Sequence, residues 1–423
     1  MRDLREIDVC AASVALTLVF FLAGGANLAN LAVGNFSVAL QEAAVYLVPT
    51  ITVLDLENTY KAAPSVPLAD APVGNTTLLE RPLRILIVPG HEPNYGGTEF
   101  QKIKERDIVV GIAEKLAGFL SRNPRYEVMV ARDKNAWHPV LTDFFTVRLE
   151  DIKIFREAQR ALTRGYFQSG SVLPAVDQVD HNRASDFTSL HLYGINKWTS
   201  ENKYDITLHL HINDYPRQYE GTSGKHVGFS IYIQDHQFAN GAVSRAIGEA
   251  IAARLNAYHA TSTLAVESAG ILEDQQLIAV GSNNSVDNAS VLVEYGYIYE
   301  PQFVDADTRS LAETDYAYET YLGLQDFFED PVLPTYGSGA LPYKENFVLK
   351  GDTSAAVYSL QSALRYLGFY PPEGEEFSDC PISGHFGPCT ERALKAFQTA
   401  NGIEPIGTLG PKTRAALKSA LVP

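Results

Sequence analysis

The sequence predicts an α/β body, a mainly parallel sheet flanked by helices, preceded by an N-terminal membrane helix and followed by a small helical tail. Three observations carry this. Strand-like and helix-like segments alternate from "RILIVPG" through "KERDIVVGIAEKLAGFLSRN" to "YEVMVARD", with "YDITLHLHIND" and "ASVLVEYGYIY" further on. That βαβ rhythm belongs to sheets whose parallel strands are joined by crossover helices. No charged residue occurs between Val9 and Gln41. Two proline- and glycine-rich breaks, residues 61–82 and the stretch from Glu329, bracket the body.

The chain has 423 residues, 46% hydrophobic and 20% charged, enough for two or more domains with a sizeable core. Its formal net charge is -16 and it has no Lys/Arg run. A grip on a phosphate backbone therefore has no source, and nucleic acid is excluded as a partner.

Taking the elements in order, Val9 to Ala26 is the most apolar stretch, about the minimum length of a spanning helix. Small residues recur at Ala23, Ala26, Ala29 and Ala32 without an Ala-x-Ala cleavage site, which favours an uncleaved signal anchor over residues 1–41. The charges before it are mixed, Arg2 and Arg5 against Asp3, Glu6 and Asp8, so they set no orientation. Residues 42–82 form a linker, proline-rich from Lys61; residues 83–327 form the body, 328–345 a second linker and 346–423 the tail. Cys380 and Cys389 flank the turn-rich "PISGHFGP" and can close a short disulfide in an oxidising compartment, with two unpaired thiols as the alternative.

Within the body, four polar residues stand where strands or helices end. Ile85 to Val88 runs into Pro89, Gly90 and His91. In parallel sheets the carboxyl ends of strands face the ligand crevice, so His91 enters it. Ile108, Ile112, Leu116 and Leu120 form a helical stripe; Glu105 lies three residues before Ile108 on the same side, and Glu114 on the opposite one. A carboxylate at the head of a core-facing stripe needs a partner or a metal, although a first-turn glutamate also compensates the helix dipole. In "DITLHLHIND", His209, His211 and Asn213 share one face, with His211 nearer the crevice. Glu294 follows Val291, Leu292 and Val293, where a packing role is hard to give it and a salt bridge to an arginine is the bland alternative.

These segments resemble the zinc-dependent N-acetylmuramoyl-L-alanine amidases, which cut bacterial peptidoglycan. "VPGHEPNYGG" stands for that family's Asp-Pro-Gly-His-Gly-Gly, "KERDIVVGIAEKL" for its Glu-Lys-Asp-like helix start, "HLHIND" for Ser-Ile-His-Ala-Asn-Ala, and "VLVEYGYI" for Val-Leu-Val-Glu-x-Gly-Phe. The resemblance spans roughly residues 84–325 and is poor between about 134 and 190, where the chain carries extra sequence. It implies that His91, Glu105 and His211 hold Zn2+ and that Glu294 is the catalytic carboxylate. Two imidazoles and a carboxylate are a usual catalytic zinc shell. The bond cleaved would be the amide between the lactyl group of muramic acid and the first alanine of the stem peptide.

Departures from the motifs lie at Val88, Glu92 and His209, which replace an aspartate, a glycine and a serine. Glu92 and Glu99 compete with Glu105 as the oxygen ligand, the helical-face argument favouring Glu105. His209 and Asn213 are candidates to support the ligands from outside the first shell, with a structural role as the alternative for His209. His138, His181, His191 and His226 carry no motif.

In the tail, Val357, Leu360, Leu364 and Leu367 share a helical face, and "FGPCTERALKAFQ" and "LGPKTRAALKSAL" repeat a Gly-Pro, a threonine two residues after the proline, and an Ala-Leu-Lys helix. This is similar to the peptidoglycan-binding type 1 module, a three-helix domain, over nearly all of residues 346–421. The insert "PPEGEEFSDCPISG" is longer than that module's usual turn. Net negative charge gives no attraction to anionic wall polymers, so hydrogen bonds must supply the contact.

The expectation is thus an extracytoplasmic, envelope-located zinc amidase, membrane-anchored or secreted, whose tail keeps it on peptidoglycan and raises the local substrate concentration. A protein activator is neither implied nor excluded. A noncatalytic wall-binding or regulatory protein is the alternative. A different zinc peptidase is disfavoured by the absence of His-Glu-x-x-His and by Asn94 three residues after His91.

Overall fold

The computed structural model describes residues 81–175, 179, 181, 183–217, 219, 221–281, 285, 288–328 and 348–421. The expected membrane helix, nearly all of the first linker and most of the second lie outside them. Among the described residues no helix is long and apolar enough to cross a membrane.

β1 (Leu83–Pro89) reads as an unbroken apolar run because both its faces are covered. Ile85 and Ile87 join one core and Leu86 and Val88 another. It lies inside a six-stranded sheet, one strand from the edge, with β4 (Tyr126–Val130), β5 (Ile206–Asn213), β6 (Ser230–Gln234), β7 (Ile271–Asp274) and β8 (Ala289–Tyr297), in the order β4-β1-β5-β8-β6-β7. β4, β1, β5 and β8 are parallel, as the βαβ rhythm predicts. β6 runs antiparallel to β8 and carries β7 with it, so the amino end of β6 meets the carboxyl end of β8. β2 (Glu99–Phe100) and β3 (Ile103–Lys104) form a separate small hairpin.

α1 (Glu105–Leu120) buries Ile108, Ile112, Leu116 and Leu120 against the first sheet face. α5 (Gly241–Leu255) and α6 (Ala306–Phe328) complete that layer. α6 crosses α5 closely at Gly323, where a Cβ would stand 2.6 Å from the Ile251 backbone. The other face is covered by the segment that departs from the resemblance: α2 (Pro139–Val147), α3 (Leu149–Ser169) and α4 (Asp186–Glu201). Leu141, Phe145, Leu190, Tyr193 and Trp198 pack there on Leu86 and Val88. Ser185 caps α4 by accepting from the Thr188 N–H at 3.1 Å, the role serine prefers.

The tail contains α7 (Ala355–Tyr366), α8 (Pro388–Ala400) and α9 (Pro411–Leu421). The repeated threonines have a physical reason. The buried Gln361 amide donates to Thr390 Oγ1 at 2.9 Å, and Gln398 donates to Thr413 Oγ1 at 3.0 Å, so each repeat closes one buried glutamine. Their amide oxygens accept from the Gly384 and Gly407 N–H groups, both at 2.8 Å. Cys380 and Cys389 form a disulfide. All described residues belong to one compact unit, and α7 packs on α6, with the Tyr358 hydroxyl donating to Asp315 at 3.0 Å across the seam.

Candidate metal centre

The β1 strand ends in a turn that no side chain other than hydrogen fits. At Gly90 a Cβ would lie 2.3 Å from the His211 ring, which is why a glycine precedes the histidine. His91 then adopts φ +69°, a left-handed conformation costing a non-glycine residue about 1 kcal/mol. β5 contributes His211 at its crevice end, and α1 contributes its first residue, Glu105, only 3% exposed.

Glu105 is the hub. Its Oε1 lies 2.8 Å from His91 Nε2 and 3.0 Å from His211 Nδ1, and the donor atoms of the three residues lie within 4.8 Å of one another. Backbone N–H groups of Ile212 (3.1 Å, to Oε1) and Thr98 (2.9 Å, to Oε2) fix the carboxylate. Burial opposes its ionisation, but the His91 charge and the hydrogen bonds from both histidines prevail and hold it well below the usual carboxylate range. Burial pushes His211 below its usual value despite Glu105, favouring the neutral imidazole that a metal requires. His209, 1% exposed, is driven down to about 3 by burial and then by His211, and its Nε2 has no hydrogen-bond partner.

Glu294 stands opposite His211 in the β5–β8 register and opposite Ser230 in the β8–β6 register. Among the described residues no arginine pairs with it, and its Oε2 is buried without a hydrogen bond. Burial, then the Glu105 and Glu267 charges, raise it well above the carboxylate range. Glu92 and Glu99 point elsewhere: Glu92 accepts from Trp137 Nε1 at 2.9 Å, and exposed Glu99 pairs with Arg106 at 3.1 Å. Asn213 lies beyond a register shift, its amide turned to Glu267 at 2.9 Å rather than to the trio. Of the histidines without a motif, His181 pairs with Asp274, His191 with Glu92, and His226 packs edge-on to Tyr215.

Two buried residues escaped the sequence reading. Arg132, 2% exposed, follows β4 and donates to the carbonyls of Pro89 (3.1 Å), Gly90 and Arg106 (3.0 Å), holding the His91 turn from behind; burial brings its guanidinium down to about 10. Glu267 accepts from Asn213 (2.9 Å), Tyr232 (2.8 Å), Ser262 (2.6 Å) and Tyr297 (2.8 Å), tying together the strands that bear His211, Ser230 and Glu294.

Two nitrogen donors and one carboxylate oxygen, converging and partly buried, match the ligand set of a tetrahedral cation, whose donor pairs stand about 3.3 Å apart at zinc bond lengths. Glu294, paired in register with His211, brings a buried carboxylate oxygen without a hydrogen bond to the neighbouring strand.

Residues 353–417 match a family described as a putative peptidoglycan binding domain. Among curated proteins, the chain is 40% identical over 65 residues to the N-acetylmuramoyl-L-alanine amidase CwlL of Bacillus licheniformis, covering 15% of this chain and 18% of that protein. It is 38% identical over 77 residues to a probable N-acetylmuramoyl-L-alanine amidase of the same organism, covering 18% and 20%. The chain thus spans about a fifth of the length of these relatives. Among solved structures, Ami1, the N-acetylmuramyl-L-alanine amidase of Mycobacterium smegmatis, aligns over 59% of this chain and 98% of its own, with 12% identity and a TM-score of 0.39.

Proposed function

We propose that the chain is a zinc-dependent N-acetylmuramoyl-L-alanine amidase of the bacterial cell envelope, with residues 83–327 catalytic and residues 346–423 holding peptidoglycan. The observation that carries this is the convergence of His91, Glu105 and His211, with Glu294 in register with His211 and within reach of the Glu105 charge. The names of the curated relatives, the match of residues 353–417 and the four sequence motifs support it.

A zinc ion held by the trio would supply Lewis acidity, polarising the scissile carbonyl and lowering the pKa of water towards neutrality. The chain's own part is positioning and proton transfer. Glu105, fixed by the Ile212 and Thr98 amides, keeps the two imidazoles on one oxygen. Glu294, with Oε2 free, accepts the proton of the attacking water and returns it to the departing alanine nitrogen, a role open to its ionised form, which a cation held by the trio would favour by offsetting the Glu105 charge. The disulfide Cys380–Cys389 fits an oxidising location outside the cytoplasm, and the uncharged N-terminal run, as anchor or signal, would take the chain there.

Digestion of purified peptidoglycan with and without a chelator, followed by mass analysis, tests this. The expected result is free stem peptides released only with metal present and reduced at least about 100-fold in Glu294→Ala. Cleavage between sugars rejects the assignment; adhesion to the polymer without release leaves the noncatalytic wall-binding reading in its place.

A further inference from the structure

We propose that Glu92 is a positioning residue for the metal centre, coupling the turn that bears His91 to the helices α2–α4; this rests on the metal reading of His91, Glu105 and His211. The resemblance expects a glycine at position 92, and no motif accounts for residues 134–190. The structure joins these two departures to each other. Glu92 is 3% exposed, and its carboxylate accepts from Trp137 Nε1 at 2.9 Å and has His191 Nδ1 3.0 Å from both oxygens. A buried carboxylate left without partners is costly, so this geometry is a strong constraint on where residue 92 sits.

The partners are themselves held. The His191 ring is stacked on Phe145 of α2 at 4.3 Å and capped by Phe187 of α4 at 4.3 Å, and Trp137 meets Phe145 edge-on at 5.4 Å. A second tie lies three residues along the loop, where the Tyr95 hydroxyl is 2.8 Å from both Ser185 Oγ and Thr188 Oγ1 at the start of α4. On the other side of His91, Arg132 grips the Gly90 carbonyl. His91 is therefore clamped front and back in its left-handed conformation, with the imidazole aimed at Glu105 before any cation arrives. Groups outside the ligand shell that fix ligand orientation commonly govern metal affinity by 10- to 100-fold.

The test is the zinc affinity of the full chain, read by competition with a chromogenic chelator, alongside the thermal midpoint of each metal-free protein. Glu92→Ala is expected to weaken zinc binding about 10- to 100-fold. Trp137→Phe, which removes one donor and keeps the ring, should weaken it less. Glu92→Gln, which retains an acceptor for Trp137, should recover part of the loss. If Glu92→Ala does not fold, Trp137→Phe decides. Zinc affinity unchanged in these folded variants overturns the coupling while leaving the metal centre intact. Failure of the unaltered chain to bind zinc overturns the metal reading itself, and the coupling with it.

Discussion

Among the described residues, two clusters bring histidine and carboxylate atoms within 4.8 Å of one another: His91, Glu105 and His211, and Asp235, His236 and Glu273. By proximity they are equals; by chemistry they are opposites. In the first, one buried carboxylate serves two imidazoles and burial keeps His211 towards its neutral, ligating form. In the second, Arg245 already neutralises Glu273 at 2.5 Å, and Asp235 is spent on the Gln237 N–H (2.8 Å) and the Gln275 amide (3.0 Å). His236 is 71% exposed and raised by Glu273 towards its protonated, non-ligating form. The first lies at the carboxyl ends of β1 and β5; the second lies at the carboxyl ends of β6 and β7, which run the other way, and so sits at the opposite end of the strands. Closeness gathers donors, but burial and freedom from a paired arginine are what suit the first cluster, and not the second, to hold a cation.

The largest expected difference follows directly. The unaltered chain should bind one zinc ion; Glu105→Ala removes the only carboxylate of the first cluster and should abolish binding at micromolar protein. Glu273→Ala, which frees a cation rather than a ligand, should leave the stoichiometry at one. Equilibrium dialysis with metal analysis reads both, and a second ion lost in Glu273→Ala would break the contrast.

Next in size is Gly90→Ala. The added methyl would stand 2.3 Å from the His211 ring, so either the ring or the turn must move. Overpacking of this kind costs about 1–3 kcal/mol, and here it falls on a ring of the proposed metal centre. Zinc affinity should drop about tenfold or more, while a glycine-to-alanine change at exposed Gly165, where a Cβ meets nothing within 4 Å, should leave it unaltered.

What could be read from the chain follows the reach of local patterns. The strand tip at His91, the shared face of His209 and His211, and the inward side of α1 are periodicities of two and 3.6, and the structure lays those residues out accordingly. The three helices that begin within 134–190 were not placed because that segment matches no motif; α3 is amphipathic in sequence, yet it buries only Ile152 and Thr163. The reversal of β6 was illegible because a short apolar run carries no direction. Arg132 and Glu267 act on carbonyls and hydroxyls far from them in sequence, and a polar residue in "ARDK" or "AVESAG" gives no periodic sign of burial. The separation of tail from body, drawn from a proline-rich break, did not foresee that Tyr358 would donate to Asp315 within a shared core.

The smallest effect tests the second cluster on its own terms, as a proton-binding site. His236 is raised by its hydrogen bond to Glu273, so the folded chain holds that proton more tightly than the unfolded one. The pair's contribution is therefore complete below the ordinary histidine value of about 6.5 and is lost as pH rises through the higher folded value. An exposed pair of this kind contributes under about 1 kcal/mol. Urea midpoints at pH 5.5 and 8.5 should show that His236→Gln is less stable than the unaltered chain at the lower pH and equal to it at the higher. A midpoint that instead rises with a second equivalent of zinc, and loses that rise in His236→Gln, would make the two clusters alike after all and remove burial as the property that separates them.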